Sequence, residues 1–229
     1  KTKNENGTFG TAEDLKGKTI LTTTVSTGTY TLSKYLESLG LTENDITVKN
    51  LEQAQAIAAF ESGEGDYLVL WAPFLYTGYE KGWKEVANAE QVGADCLMLW
   101  VADPKLAKEN PDAIANMLAM FDEGATRFNK EGKKLAPEIS EFFSDWAAMN
   151  VDEENAALDI ESHDIYSLED QLEMLENGDL LKAMQGTASY FEGQGKYTAE
   201  DVQKLEDKGY CIDSSFLKKA IEVRDAKAK

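Results

Sequence analysis

The sequence predicts an α/β chain with two unlike halves: a parallel-type sheet with crossover helices up to about residue 103, then a mainly helical remainder. Three observations carry this. Short β-like runs alternate with helix-periodic stretches between Leu15 and Asp103. The last two of those runs are apolar almost throughout, the pattern of parallel strands covered on both faces. After Asp103 the strand signal stops.

The runs are Thr19–Thr24 (TILTTT), Ile46–Val48, Tyr67–Trp71 (YLVLW) and Cys96–Val101 (CLMLWV). Between them, Leu32, Tyr35, Leu36 and Leu39 keep one face of a helix over Thr29–Leu39, which Gly40 ends. Ala54, Ile57 and Ala58 mark a second helix over Leu51–Glu61, closed by Ser62-Gly63. Strand, helix, strand, helix, strand is the order of a right-handed crossover sheet. In the remainder, Asn110-Pro111 opens a long amphipathic helix carrying Ile114, Met117, Leu118, Phe121 and Ala125. Further helices are expected near 137–149, 152–161, 167–176, 179–192, 198–207 and 214–224, with a capping box at Ser167-x-x-Asp170 and N-caps at Thr198 and Asp213. Such a half, without strands of its own, needs a surface on which to bury its apolar stripes.

Composition removes several classes of function. Among 229 residues, 42 acidic side chains against 23 basic ones give a formal charge of −19. Phosphate contact needs clustered Lys and Arg, so no nucleic-acid partner is expected. The longest apolar run, Tyr67 to Tyr76, is broken by Pro73 and too short to cross a bilayer. With one histidine, His163, and two distant cysteines, Cys96 and Cys211, a Cys/His metal site cannot be assembled, and no metal or cofactor is expected. The two thiols are either both buried or, in an exported protein, joined as one long-range disulfide. No nucleophile elbow, HExxH motif or Ser/His/Asp order occurs, and runs such as Asp152-Glu153-Glu154 read as solvated helix faces. The chain is therefore not expected to be an enzyme. It begins at Lys1 without methionine or a signal peptide, which points to a processed or trimmed chain.

A binding site is the remaining candidate. Ser26, Thr27, Gly28, Thr29 and Tyr30 lie between a strand and a helix, where unpaired first-turn amides and the positive end of the helix dipole favour an anionic or polar group. The alternative reading of the same residues is an ordinary N-cap. Trp71 and Phe74 follow the apolar strand YLVLW at the edge where open α/β sheets hold ligands, although aromatics also serve as core packing. Glu52 and Gln53 follow the strand ending near Val48 and are expected at that edge, with plain solvent exposure as the alternative.

These residues also carry a family resemblance. Asp14–Ile20 (DLKGKTI), Ser26–Tyr30, Asn50-Leu51, Ser62-Gly63 with Asp66, and Trp71-x-Pro73-Phe74 occur in the order and spacing of one family. Ala107–Pro111 (AKENP) and Ile212–Leu217 (IDSSFL) continue the pattern. The chain resembles the solute-binding proteins of ABC importers in the sulfonate, taurine, nitrate and thiamine-precursor group. That resemblance implies a type II periplasmic-binding fold, with residues 14–103 as the ligand-binding second lobe and 104–229 as helices returning to the first.

It further implies a small organic solute as ligand, an ABC permease as partner, and an extracytoplasmic home, periplasmic or lipid-anchored. Ser26, Thr27, Gly28, Thr29, Tyr30, Glu52, Gln53, Trp71 and Phe74 become the candidate ligand residues, brought against the other lobe by hinge closure. Thr29 stands where many members have histidine, Ala72 replaces a common acidic residue, and Glu52 and Gln53 replace residues that are often proline; these departures suit something other than a simple sulfonate. Family members carry further strands before the DLKGK stretch, whereas thirteen residues precede Asp14 here. The expectation is a chain lacking the opening of its first lobe and binding weakly by itself. The alternative function is a truncated fragment that acts by self-association or by completion with its missing segment.

Overall fold

The computed structural model describes residues 3–206 and 212–227. It divides into two compact units, Lys1–Cys96 and Leu97–Lys229.

In the first unit the chain runs α1 (Ala12–Leu15), β1 (Thr19–Thr22), α2 (Thr27–Ser38), β2 (Thr47–Asn50), α3 (Gln53–Glu61), β3 (Tyr67–Leu68), α4 (Phe74–Glu80) and α5 (Ala89–Val92). The sheet is parallel with order β2-β1-β3. Thr19 pairs with Thr47 and Leu21 with Leu68, so β1 is central. Ile20 joins Leu15, Leu32, Tyr35, Leu36 and Leu41 in a buried cluster, with Val48, Tyr67 and Val69 packed against it. The helical spacing of Leu32, Tyr35 and Leu36 thus becomes the face that covers the sheet. Leu21, next along the strand, serves the other face, and its Cγ lies 2.7 Å from the place a Cβ on Gly65 would take. With φ at +75° as well, that turn admits only glycine.

The strands are shorter than the apolar runs. Tyr67–Trp71 is ladder-paired only at Tyr67 and Leu68, and Cys96–Val101 forms no strand. Met98 and Val101 are 92% and 90% exposed. Apolar composition favours a strand only where a neighbour supplies a ladder of amides and carbonyls, and among the described residues none pairs with this run.

The second unit contains α6 (Pro104–Glu109), α7 (Pro111–Glu131), α8 (Ala136–Ala147), α9 (Glu153–Glu161), α10 (Leu168–Asn177), α11 (Asp179–Gly193), α12 (Ala199–Glu206) and α13 (Ser215–Lys227). Asn110 caps α7 through Ala113 N–H, and Pro111 takes the first helical position, where its missing N–H costs nothing. Ile114, Leu118 and Ala119 of α7 pack with Leu168, Leu217 and Ala220. Asp122, on the same helix, is buried; it accepts from the Leu168 N–H and from Arg224, whose guanidinium also forks onto Glu169. The expected caps form at Ser167 with Asp170 and at Thr198 with Asp201, while Asp213, two residues ahead of α13, accepts from the Ser215 N–H. Among the described residues no helix is long and apolar enough to cross a membrane.

Candidate functional site

All three strands are parallel, so their carboxyl ends share one edge of the first unit. The order β2-β1-β3 means that the connection leaving β1 goes to one side and the next crosses to the other. A sheet opens at such a reversal, outside the carboxyl ends of the strands it separates. Here those strands are β1 and β3. The segments that follow them are Thr23–Ser26, leading into α2, and Val69–Pro73, leading into α4.

The start of α2 is built by its hydroxyls. Val25 sits in the left-handed region, φ 58°, which for a β-branched residue costs about 1–3 kcal/mol. This turn brings Ser26 into the N-cap. Ser26 Oγ donates to Thr23 O at 2.6 Å and accepts from Thr29 N at 3.3 Å. Thr29 Oγ1 in return accepts from Ser26 N at 3.2 Å and donates to Ser26 O at 2.9 Å. The amides of Thr27 and Gly28 have no carbonyl one turn back within the helix and stand at the dipole's positive end. Thr27 is exposed; Gly28, Thr29 and Tyr30 are buried. The Tyr30 phenol is pushed up chiefly by burial, partly offset by Lys34, whose ammonium lies 5.8 Å from the ring centroid.

The structure brings Trp71 to this helix start: its Cε3 is 3.4 Å, and Val69 Cγ1 3.2 Å, from where a Cβ on Gly28 would stand. Gln53 is buried, 3% exposed. Its Oε1 accepts from Trp71 N at 3.3 Å, and its Nε2 donates to Thr23 Oγ1 at 3.3 Å and to Val69 O at 3.4 Å. Glu52 is the exposed N-cap residue of α3, without a side-chain capping bond. Phe74 opens α4 and is partly buried.

Sequence reasoning missed two residues here. Thr23 Oγ1 donates to Leu51 O at 2.8 Å, and Asn50 Oδ1 accepts from Thr24 N at 2.9 Å. Both tie the segment after β1 to the end of β2. The signal for Thr23 lay in the hydroxyl run of TILTTT; that for Asn50 lay in its place ahead of Leu51.

A depression of about 460 Å³, lined by Glu13, Asp14, Lys18, Asp66 and Tyr67, lies at the opposite, amino-terminal ends of β1 and β3. There Asp66 accepts from Thr19 N–H and from Lys18, bonds that hold its carboxyl below the usual range. Among the described residues no group of three or more His, Cys, Asp or Glu side chains is placed to hold a metal ion. Cys96 is free and exposed, which departs from the buried thiol expected; the run it opens, Cys96–Val101, forms no strand that would take it into a sheet. Cys211 lies outside the described residues. His163 is exposed, with Nδ1 2.7 Å from Asp159 O.

Residues 2–131 match the family model described as NMT1/THI5 like. The chain is 33% identical over 110 residues to the taurine-binding periplasmic protein of Escherichia coli, covering 47% of this chain and 34% of that protein. The periplasmic aliphatic sulphonate binding protein SsuA from Escherichia coli superposes with a TM-score of 0.64 at 20% identity, over 83% of this chain and 58% of that one. The alkanesulfonate-binding protein SsuA from Xanthomonas axonopodis pv. citri, bound to MOPS, gives 0.61 at 21% identity, over 82% and 61%. The chain therefore spans between a third and about three fifths of the length of these relatives. The two structural likenesses carry the fold.

Proposed function

The chain belongs to the NMT1/THI5-like family, and on that premise we propose that it is a solute-binding component of an ABC importer. It captures a small organic solute, such as a sulfonate, taurine, a nitrate-like anion or a pyrimidine thiamine precursor, and delivers it to a membrane permease from an extracytoplasmic position. The relatives are named for binding taurine, aliphatic sulphonates and alkanesulfonates, the two from Escherichia coli as periplasmic proteins, and none of the three is named for an enzymatic activity.

The single observation that supports this reading most is the meeting of the Trp71 indole with the hydroxyl-capped start of α2, outside the carboxyl ends of β1 and β3. In this assignment the Thr27 and Gly28 amides and the Thr27 hydroxyl hold the solute's polar head. Ser26 and Thr29 hold those groups in place, and Trp71 supplies the apolar wall. No side-chain cation is needed at a helix N-terminus to hold a tetrahedral or planar anion. Both arginines are already engaged by carboxylates, Arg127 with Glu131 and Glu138, and Arg224 with Asp122, Glu169 and Asp225.

The test is a titration of isotope-labelled protein with taurine, ethanesulfonate, nitrate and an aminopyrimidine up to millimolar concentration, followed by amide correlation spectra. Saturable shifts of the Thr27 and Gly28 amides and the Trp71 indole, lost in Trp71→Ala, are expected with at least one solute. Shifts that leave these groups untouched, or none with any solute, would refute the assignment.

A further inference from the structure

We propose that Gln53 is a positioning residue for solute recognition: its buried amide takes the place of a strand partner and sets the separation between the Trp71 wall and the hydroxyl loop. This rests on the solute-binding reading above.

Ile20 faces Tyr67 and Leu21 faces Leu68, and Val69 N–H donates to Leu21 O at 2.9 Å. In a parallel ladder one residue bonds the carbonyl before and the amide after the residue opposite it. Continued by two residues, this register would put Thr23 opposite Leu70, with its backbone bonded to Val69 O and Trp71 N. β1 instead ends at Thr22 and turns away through Val25. Both ladder groups go to Gln53: Val69 O accepts from Nε2 at 3.4 Å, and Trp71 N donates to Oε1 at 3.3 Å. The side-chain amide has the donor and acceptor of a peptide group and satisfies the edge that β1 abandons.

The same amide reaches the other wall. Nε2 also donates to Thr23 Oγ1 at 3.3 Å, and Thr23 O accepts from Ser26 Oγ at 2.6 Å. Gln53 thus hydrogen-bonds the backbone of Trp71 on one side and, through Thr23, the Ser26 cap on the other. Being only 3% exposed, it acts on a solute through these neighbours and not by touching it. A shorter or apolar side chain would leave Val69 O and Trp71 N unpaired in a partly buried place, and those groups would seek the Thr23 backbone instead, drawing Trp71 and the hydroxyl loop together.

The experiment compares Gln53→Met, similar in length but without the amide, with the wild type. In solute-free spectra the Trp71 amide and indole resonances and the Ser26–Thr29 amides are expected to move together, while those of α13 stay in place. Affinity for whichever solute binds the wild type is expected to fall about tenfold. Unchanged solute-free resonances at Trp71 and Ser26–Thr29 would overturn the proposal. If Gln53→Met does not fold, hydrogen exchange in the wild type decides. A Trp71 amide protected like the β1 amides supports the clamp, and one exchanging at the rate of an open loop overturns it. Failure of the solute-binding reading looks different: no solute shifts the wild type, and the solute-free comparison still judges Gln53 by itself.

Discussion

The indole of Trp71 is seated against Gly28, the one position in the first turn of α2 without a side chain, with Cε3 3.4 Å from where a Cβ would stand. Ser26 Oγ and Val69 Cγ1 crowd the same point at 3.3 and 3.2 Å. Gly28→Ala sets two effects against each other. Alanine gains up to about 1 kcal/mol of helix propensity, while its methyl pushes Val69 Cγ1 and Ser26 Oγ back by a few tenths of an ångström and comes into van der Waals contact with the indole. The expected outcome is a melting temperature within about 4 °C of wild type, with a shifted Trp71 indole resonance and weaker solute binding. Thermal melts and the solute titration check both.

Ser26→Ala removes the acceptor for Thr29 N–H and the donor to Thr23 O together. Loss of such a cap costs about 1 kcal/mol, up to about 2. Urea unfolding should show that loss, and Ser26→Thr should restore most of it.

Thr22 is fully buried at the end of β1, and its Oγ1 has no hydrogen-bond partner among the described residues. A buried hydroxyl without a partner is a net cost of about 1 kcal/mol or more. Thr22→Val, equal in shape, is expected to raise stability by about 1 kcal/mol, measured as a higher urea midpoint at unchanged m-value.

Tyr35 donates its hydroxyl proton to Phe9 O at 2.5 Å, and burial pushes its phenol up from 10.0 to about 12. Between those two values the unfolded chain has released a proton that the folded one keeps. The stability this group confers is therefore complete below pH 10 and disappears as pH rises toward about 12. Tyr35→Phe should be about 1 kcal/mol less stable at neutral pH, with an unsatisfied Phe9 carbonyl. The gap between the two proteins should narrow above pH 10, as followed by urea unfolding across that range.

Arg224 bridges the buried Asp122 and the exposed Glu169, and its hydrogen bonds hold the Glu169 carboxyl below the usual range. Arg224→Met leaves Asp122, among the described residues, with the Leu168 N–H alone. A fully buried pair would lose about 3–5 kcal/mol; with the guanidinium partly in water the expected loss is about 2. Adding Asp122→Asn removes the stranded charge and should return part of it, a coupling that a double-mutant cycle reads directly.

The amino-acid sequence by itself determined the alternation of strands and helices, the helical second half and most helix ends, because these depend on local signals. Leu32, Tyr35 and Leu36 share a face by spacing alone, and Ser26, Asn110 and Ser167 cap through groups three residues away. It also placed Ser26–Tyr30 and Trp71 at ends of neighbouring strands, since parallel strands share a carboxyl edge. Tertiary structure alone decided the rest. CLMLWV and YLVLW read alike as strands, yet only Tyr67 and Leu68 pair, because a strand exists where a partner offers its backbone. Gln53 read as a candidate ligand residue at the strand edge, with plain solvent exposure as the alternative, whereas the early departure of β1 left two backbone groups that its amide was long enough to reach. The outcome at each of these residues is set by unpaired hydrogen-bonding groups on segments distant in sequence, and no local pattern records where those groups end.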